Sequence, residues 1–175
     1  MSVVIDGSAG VTTASGAVYN GLQTATAQAS TSGTSIDFTS IPSWVKRITV
    51  IFNQVSLSGT SSFLVRVGNG TPATSGYSSI TTYNAVSSIG GLASSAGFII
   101  QGADSTYAIY GSLTITNISG NTWIASGVIG NSATTSFTVN TAGTIALGSV
   151  LNMVRITTVN GTDTFDAGSI NILYE

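Results

Sequence analysis

Residues 150–174 read VLNMVRITTVNGTDTFDAGSINILY, and this stretch decides the fold class. Two runs rich in Val, Ile, Thr and aromatic residues flank residues 160–163, Asn-Gly-Thr-Asp, and Asn-Gly favours tight β-turns because both residues tolerate positive φ. In the second run Ile170, Ile172 and Tyr174 alternate with other residues, which is the period of a strand with one buried face. The pattern predicts a β-hairpin in this part of the chain.

The same alternation recurs upstream at intervals of roughly ten residues, as expected for a sandwich of short antiparallel strands. Two runs predict strands most clearly, each with its apolar residues on one face: Ile48, Val50 and Phe52, then Phe63, Val65 and Val67. Further strands are predicted at 77–83, 98–101, 107–118, 122–129, 134–139 and 143–147. No stretch keeps helical spacing over three turns. The sequence therefore predicts an all-β protein, an antiparallel, jelly-roll-like β-sandwich.

Residues 1–32 lack this pattern, because small residues dominate and glycines interrupt every apolar run. They are predicted to form an extended N-terminal arm and linker for attachment and oligomerisation, and residues 33–175 the β-sandwich knob domain. Short apolar pieces of this kind suit the addition of a strand to a neighbouring chain. The attachment residues predicted in the arm are Val3, Val4, Ile5, Val18, Tyr19 and Leu22.

The chain is poor in charge. It has four basic and six acidic side chains in 175 residues, 6% charged against about 25% in an average soluble domain. Nucleic acid is disfavoured as a partner because phosphate binding needs clustered Lys and Arg. Membrane insertion is disfavoured because every apolar run is far shorter than a spanning helix. Monomeric sheet proteins protect edge strands with charges, so we expect copies of this chain to cover its edges.

The chain has few residues of the types that catalysis uses. The chain has no histidine and no cysteine, which removes Ser-His-Asp and Cys-His systems and His-ligated zinc. Ser43 and Lys46 match a Ser-x-x-Lys spacing, but Pro42 introduces a strand-like run there. Glycoside hydrolysis needs two carboxylates across a cleft, and of the neighbouring pair Asp163 and Asp166 the first lies in the predicted turn. We predict no enzyme activity, no cofactor and no metal site.

Two sets of side chains are predicted to make specific contacts. Arg155 lies among apolar residues, where a guanidinium needs a carboxylate partner, and Asp37 and Asp166 are the partners considered. Tyrosines flanked by Ser, Thr and Gly predict an exposed face for contact with a receptor, since Tyr is enriched at interfaces. These tyrosines are Tyr77, Tyr83, Tyr107 and Tyr110.

Two stretches carry a family resemblance. Residues 36–50 (IDFTSIPSWVKRITV) and 155–172 (RITTVNGTDTFDAGSINI) resemble the β-sandwich module of bacteriophage virion surface proteins, most often found as the distal, carboxy-terminal domain of tail fibres. Shorter similar pieces occur at 58–61, 119–123 and 130–132. The resemblance covers about residues 34–175.

The resemblance implies a non-enzymatic, homotrimeric structural or adhesion protein, made in the host cytoplasm and assembled on the exterior of the virion. Its expected partners are itself and the major capsid protein or tail proteins, with a host-surface glycan or protein as a further partner. Only a short arm precedes the module in this sequence, without a repetitive shaft, and this favours a capsid decoration (cement) protein. The alternative is a short tail fibre or fibre-tip adhesin that binds a host receptor. A glycan-cleaving spike is disfavoured by the scarcity of carboxylates.

Overall fold

The computed structural model describes residues 4–6, 10–12, 18–19, 21–85, 88–102, 104–132 and 137–175, with the backbone alone described for the three shortest ranges and for Ser88. This part of the chain contains strands and connections, and no helix in it is long and apolar enough to cross a membrane. The strands are β1 (Val4–Asp6), β2 (Gly10–Thr12), β3 (Val18–Tyr19), β4 (Gln23–Thr24), β5 (Gln28–Ala29), β6 (Ser35–Phe38), β7 (Arg47–Leu57), β8 (Phe63–Asn69), β9 (Thr71–Pro72), β10 (Ser78–Ala85), β11 (Ser88–Ser94), β12 (Phe98–Ile100), β13 (Ile109–Ser119), β14 (Thr122–Asn131), β15 (Phe137–Ala146), β16 (Met153–Thr158) and β17 (Phe165–Tyr174).

The strands form three antiparallel sheets. The large sheet has the order β11-β10-β15-β14-β13-β7-β17-β4, with β5 also pairing with β17. The small sheet has the order β12-β8-β16-β6, with β9 pairing with β8, and β1, β2 and β3 form a sheet of their own. The predicted antiparallel β-sandwich is confirmed, whereas its jelly-roll-like detail and the extended N-terminal arm stay predictions.

One hydrophobic core joins the large and small sheets. The apolar faces predicted for β7 and β8 are confirmed, because all six of their predicted inward residues are buried. Other members of the core are Leu113, Ile115, Trp123, Ile129, Ile145, Ile170 and Ile172 in the large sheet and Phe98, Val154 and Ile156 in the small sheet. Burying one such side chain stabilises the fold by about 1.5–3 kcal/mol, so the alternating pattern supplies the main favourable term.

The predicted C-terminal hairpin is wrong, although both of its strands are present. β16 lies in the small sheet between β8 and β6, whereas β17 lies in the large sheet between β7 and β4. The connection at 159–164 therefore crosses from one sheet to the other. Asn160 shapes this connection, since its Oδ1 accepts hydrogen bonds from the N–H groups of Thr162 and Asp163, each at 3.1 Å. Two strands joined by a hairpin and two strands joined by such a crossing show the same alternation of apolar and polar residues. The sequence pattern therefore does not distinguish the two arrangements.

β15 is one strand where the sequence predicts two. It runs without a break through Gly143, and an added Cβ at this glycine would lie 2.9 Å from the Phe98 ring and 2.9 Å from the carbonyl oxygen of Ser78. The glycine therefore allows β12 and β10 to approach β15 closely. Residues 134–136 of the first predicted segment lie outside the described residues.

Side-chain hydroxyls join the small sheet to the large one along β12. The N–H of Ile99 donates to Ser79 Oγ at 3.1 Å, and the carbonyl of Ile99 accepts from Thr141 Oγ1 at 3.0 Å. Ser79 and Thr141 are both buried. The backbone groups on the free edge of β12 thus find partners on β10 and β15, as buried polar groups require.

Removing one of these hydroxyls is expected to destabilise the sandwich. Thr141→Val keeps the shape of the side chain but leaves the Ile99 carbonyl without its donor, which costs about 1–3 kcal/mol in a buried setting. Urea unfolding measures the loss, with Thr138→Val on the exposed face of the same strand as the control. Equal free energies of unfolding for the two variants would contradict this account of the sheet junction.

Candidate interaction surfaces

Arg155 pairs with Asp37, its register partner across β16 and β6. The guanidinium Nε donates to Oδ1 at 2.6 Å and Nη2 donates to Oδ2 at 2.5 Å, and this hydrogen bonding raises the pKa of Arg155. Both side chains are about one-third exposed, at 33% and 32%, so solvent screening limits the stabilisation. The expectation that Asp166 shares this role is corrected: it lies on β17 in the other sheet and accepts a hydrogen bond from the Ser56 hydroxyl.

Tyr77 is buried, which corrects its predicted role in receptor contact. Its residue exposure is 5%, and its ring meets Phe98 edge-on with 5.0 Å between centroids. The hydroxyl accepts from the Val67 N–H at 2.8 Å and lies 3.3 Å from the Val67 carbonyl oxygen. Because Val67 satisfies the polar tip, the ring can contribute its apolar area to the core.

The buried hydroxyl of Tyr77 makes stability depend on alkaline pH. Burial raises the pKa of Tyr77 from 10.0 to about 12, so between these values the unfolded chain binds fewer protons than the folded one and stability falls as pH rises. We expect a loss of about 2–3 kcal/mol across this window. Denaturant unfolding of wild type and Tyr77→Phe measures it, and an equally steep fall in the variant would contradict this source of the dependence.

The other three predicted contact tyrosines do not share one face. Tyr83 and Tyr107 lie beside Phe137, with ring centroids 5.7 Å and 5.9 Å from that of the phenylalanine. Tyr110 is 42% exposed and covers Gly130, its partner on β14, at the position that a Cβ would occupy. Together with the burial of Tyr77, this arrangement divides the predicted receptor face into separate sites.

The predicted attachment residues also fall into separate places. Val3 lies outside the described residues. Four others belong to β1 or β3: Val4, Ile5, Val18 and Tyr19. In the described part of the chain the sheet of β1 to β3 pairs with no sandwich strand. Leu22 is 61% exposed, and the following residues add β4 and β5 to β17, so the end of the predicted arm pairs with its own sandwich.

Five adjacent strands of the large sheet, β11, β10, β15, β14 and β13, contain no charged residue. We call these strands the uncharged half. Its outward side chains are mainly Ser, Thr, Asn and aliphatic residues, and several of the aliphatic ones are substantially exposed, among them Ile80 at 54%, Ile124 at 43% and Val128 at 58%. The signal for this surface is present in the sequence, since Asp104 is the single charged residue between Arg66 and Arg155.

β11 forms the edge of the uncharged half. Within the described residues it pairs on one side only, with β10, and its residues Ile89 and Leu92 are 79% and 44% exposed. Natural edge strands are usually blocked by charges, proline or a bulge, and β11 has none of these. The edge therefore offers backbone groups and apolar side chains to another strand.

Two acidic residues in the connections, Asp163 and Asp104, stabilise the loops by accepting hydrogen bonds. Asp163 accepts from the Ser61 N–H at 2.9 Å and from the Asn160 side-chain amide at 2.7 Å. Asp104 accepts from the N–H and the hydroxyl of Thr106, both at 2.9 Å, and these bonds lower the pKa of Asp104. Among the described residues no group of three or more metal-ligating side chains lies together. These carboxylates act as loop anchors.

Comparisons with known proteins found no matching family model, no matching curated protein and no matching solved structure.

Proposed function

We propose that this chain is a non-enzymatic structural protein of a phage virion surface and that it assembles as a homotrimer. The observation that carries the proposal is the uncharged half, which ends at the unprotected edge strand β11. Contact through such a surface buries apolar area and leaves no ion to be desolvated. Desolvation of charged groups is the most costly part of burying a polar surface. The resemblance of residues 36–50 and 155–172 to phage virion modules supports the placement on a particle.

Copies of the chain are the partners that this surface fits best. A strand added at β11 pairs through the backbone, while Ile89 and Leu92 supply apolar contact. When this edge of one subunit contacts a different part of the next, the contact is heterologous, and a rotation of one third of a turn closes it into a ring of three. The charged residues of β7, β17 and the small sheet then stay outside the contact.

Within this proposal, decoration of the capsid is the first placement. The strand β4 pairs with Leu173 and Tyr174, so the predicted arm joins the sandwich at the end of β17 opposite to the connections 57–63 and 159–164. An arm at one end and a compact knob at the other suit a protein that attaches to a shell and projects outward.

A fibre-tip adhesin is the second candidate function, and one observation favours it. The half-buried rings of Tyr83 and Tyr107 flank Phe137 at the end of the large sheet opposite to the entry of the arm. Aromatic side chains at a distal end suit contact with a host receptor.

Copy number on the purified particle separates the two placements. Decoration predicts many copies at threefold or quasi-threefold positions of the capsid, and a fibre tip predicts few copies at the tail. Quantitative gel analysis together with cryo-electron microscopy of the particle gives both the number and the location. Absence of the protein from purified particles would contradict both placements.

A further inference from the structure

A groove lies on the side of the sandwich opposite to β11, where the segment of β4 and β5 approaches β6. Its cavity volume is about 370 Å³, within the range of small-molecule sites. We call it the seam groove, and it is lined by residues 25, 26, 28, 37–41, 172 and 174. Its floor is apolar, because Phe38, Ile41 and Ile172 are all buried.

The rim of the seam groove carries polar groups that have no hydrogen-bond partner among the described residues. The hydroxyls of Thr26, Thr39 and Ser40 make no hydrogen bond within the described part of the chain, and each can donate one bond and accept two. The side-chain amide of Gln28 donates from Nε2 to the carbonyl of Asp37 at 2.7 Å, which leaves Oε1 as an acceptor. These groups can bond a ligand rich in hydroxyls.

The charge of the seam groove indicates a neutral ligand. Asp37 is the single ionisable acidic or basic residue in its lining, and both of its carboxylate oxygens accept from Arg155. A cation therefore finds no free carboxylate, and an anion finds no free positive charge. The remaining polar groups are uncharged hydroxyls and an amide.

An aromatic pair adjoins this rim. Tyr174 lines the groove, and its ring centroid lies 6.1 Å from that of Trp44 at an interplanar angle of 45°. Trp44 is 37% exposed. Aromatic rings of this kind present an apolar surface with a polar tip, which matches a sugar ring that has C–H groups on its face and hydroxyls at its edge.

The backbone of the groove contains a strained residue. Ser40 has a φ of 60°, in the left-handed region that residues other than glycine rarely adopt. Residues in this conformation concentrate at binding sites. Ser40 is also one of the three rim residues whose hydroxyl has no partner among the described residues.

We propose that the seam groove binds a neutral saccharide, with a sugar ring against Tyr174 and Trp44 and its hydroxyls bonded to the rim. This goes beyond the structural function proposed above. Because the groove and β11 lie at opposite sides of the large sheet, saccharide binding and trimer formation can be measured and can fail separately.

An NMR titration of the full chain with neutral hexose and N-acetylhexosamine oligosaccharides tests the proposal. We expect saturable shifts at the indole N–H of Trp44 and the side-chain amide of Gln28, and none at the buried indole of Trp123. Trp44→Ala is expected to weaken binding about tenfold. Tyr110→Ala, which removes an exposed aromatic ring elsewhere, is expected to bind as wild type does.

Ser40→Gly separates binding from folding. Glycine accepts the positive φ of this position, so the variant is expected to keep or raise its melting temperature while it binds the saccharide more weakly. Thr26→Val, which removes a hydroxyl at constant shape, is expected to weaken binding with the oligomeric mass unchanged. No saturable shift with any of these saccharides, or wild-type affinity in both Trp44→Ala and Ser40→Gly, would overturn the proposal whatever the oligomeric state.

Discussion

Replacing Gly168 with alanine is expected to lower the free energy of unfolding by about 3–5 kcal/mol. Gly168 has a φ of 89° and lies where the register of β17 shifts against β7. An added Cβ would lie 2.2 Å from the carbonyl oxygen of Gln54 and 2.5 Å from that of Asn53. These are backbone atoms of β7, which is held between β13 and β17, so the clash cannot be relieved by rotation of a side chain.

Gly161→Ala is the matched control for this effect. Gly161 also has a positive φ, 69°, but an added Cβ there would have no atom within 4 Å. We expect a cost of about 1–2 kcal/mol from the backbone conformation alone. Denaturant unfolding compares the two variants, and equal losses would show that the close approach of β17 to β7 at Gly168 does not matter.

Replacing Ile89 with lysine is expected to convert the proposed trimer into single chains. Ile89 is 79% exposed on β11, so in an isolated subunit the substitution removes little buried area and the fold is expected to persist. In the assembled state the same lysine would place an unpaired charge in an apolar contact, which is strongly unfavourable. Lysine is also a residue with which natural edge strands prevent pairing.

Val150→Lys is the matched control for the assembly prediction. Val150 is 48% exposed in the connection before β16 and lies outside the uncharged half. Light scattering coupled to size-exclusion chromatography is expected to give the mass of the proposed trimer for this control and that of one chain for Ile89→Lys. Unchanged mass in Ile89→Lys would place the contact elsewhere than β11.

Local alternation made the fold class predictable. The inward residues of β7 and β8 can be identified without any knowledge of pairing, because a strand shows its buried face in its own period of two. The partner of Arg155 was also within reach of the sequence, since so few carboxylates are present in the chain. Both inferences depend on properties of short segments or of composition.

Features that depend on strand order were not predictable in this way. The predicted hairpin failed because β16 and β17 carry the same alternation whether they pair with each other or with strands of different sheets. β11 was missed because Gly90 and Gly91 weaken its strand pattern, and its stabilisation comes partly from the ring of Tyr83, which covers Gly90 from the neighbouring strand.

The surface sites also depend on strand order and so could not be predicted from local sequence. Tyr77 has the polar surroundings of an exposed tyrosine in the sequence, but Val67, ten residues earlier, provides both of its hydrogen-bonding partners inside the core. The seam groove brings residues 25, 26 and 28 beside residues 172 and 174, which lie far apart in the sequence. Such a site exists only after β17 has joined the large sheet and β6 the small one.

The mass of the purified chain in solution tests the central claim most directly. For a subunit of 17.6 kDa, light scattering coupled to size-exclusion chromatography is predicted to give three times that mass, stable on dilution. A mass of one chain at every concentration would contradict the account, because the uncharged half and the edge of β11 would then lie open to solvent in the native protein.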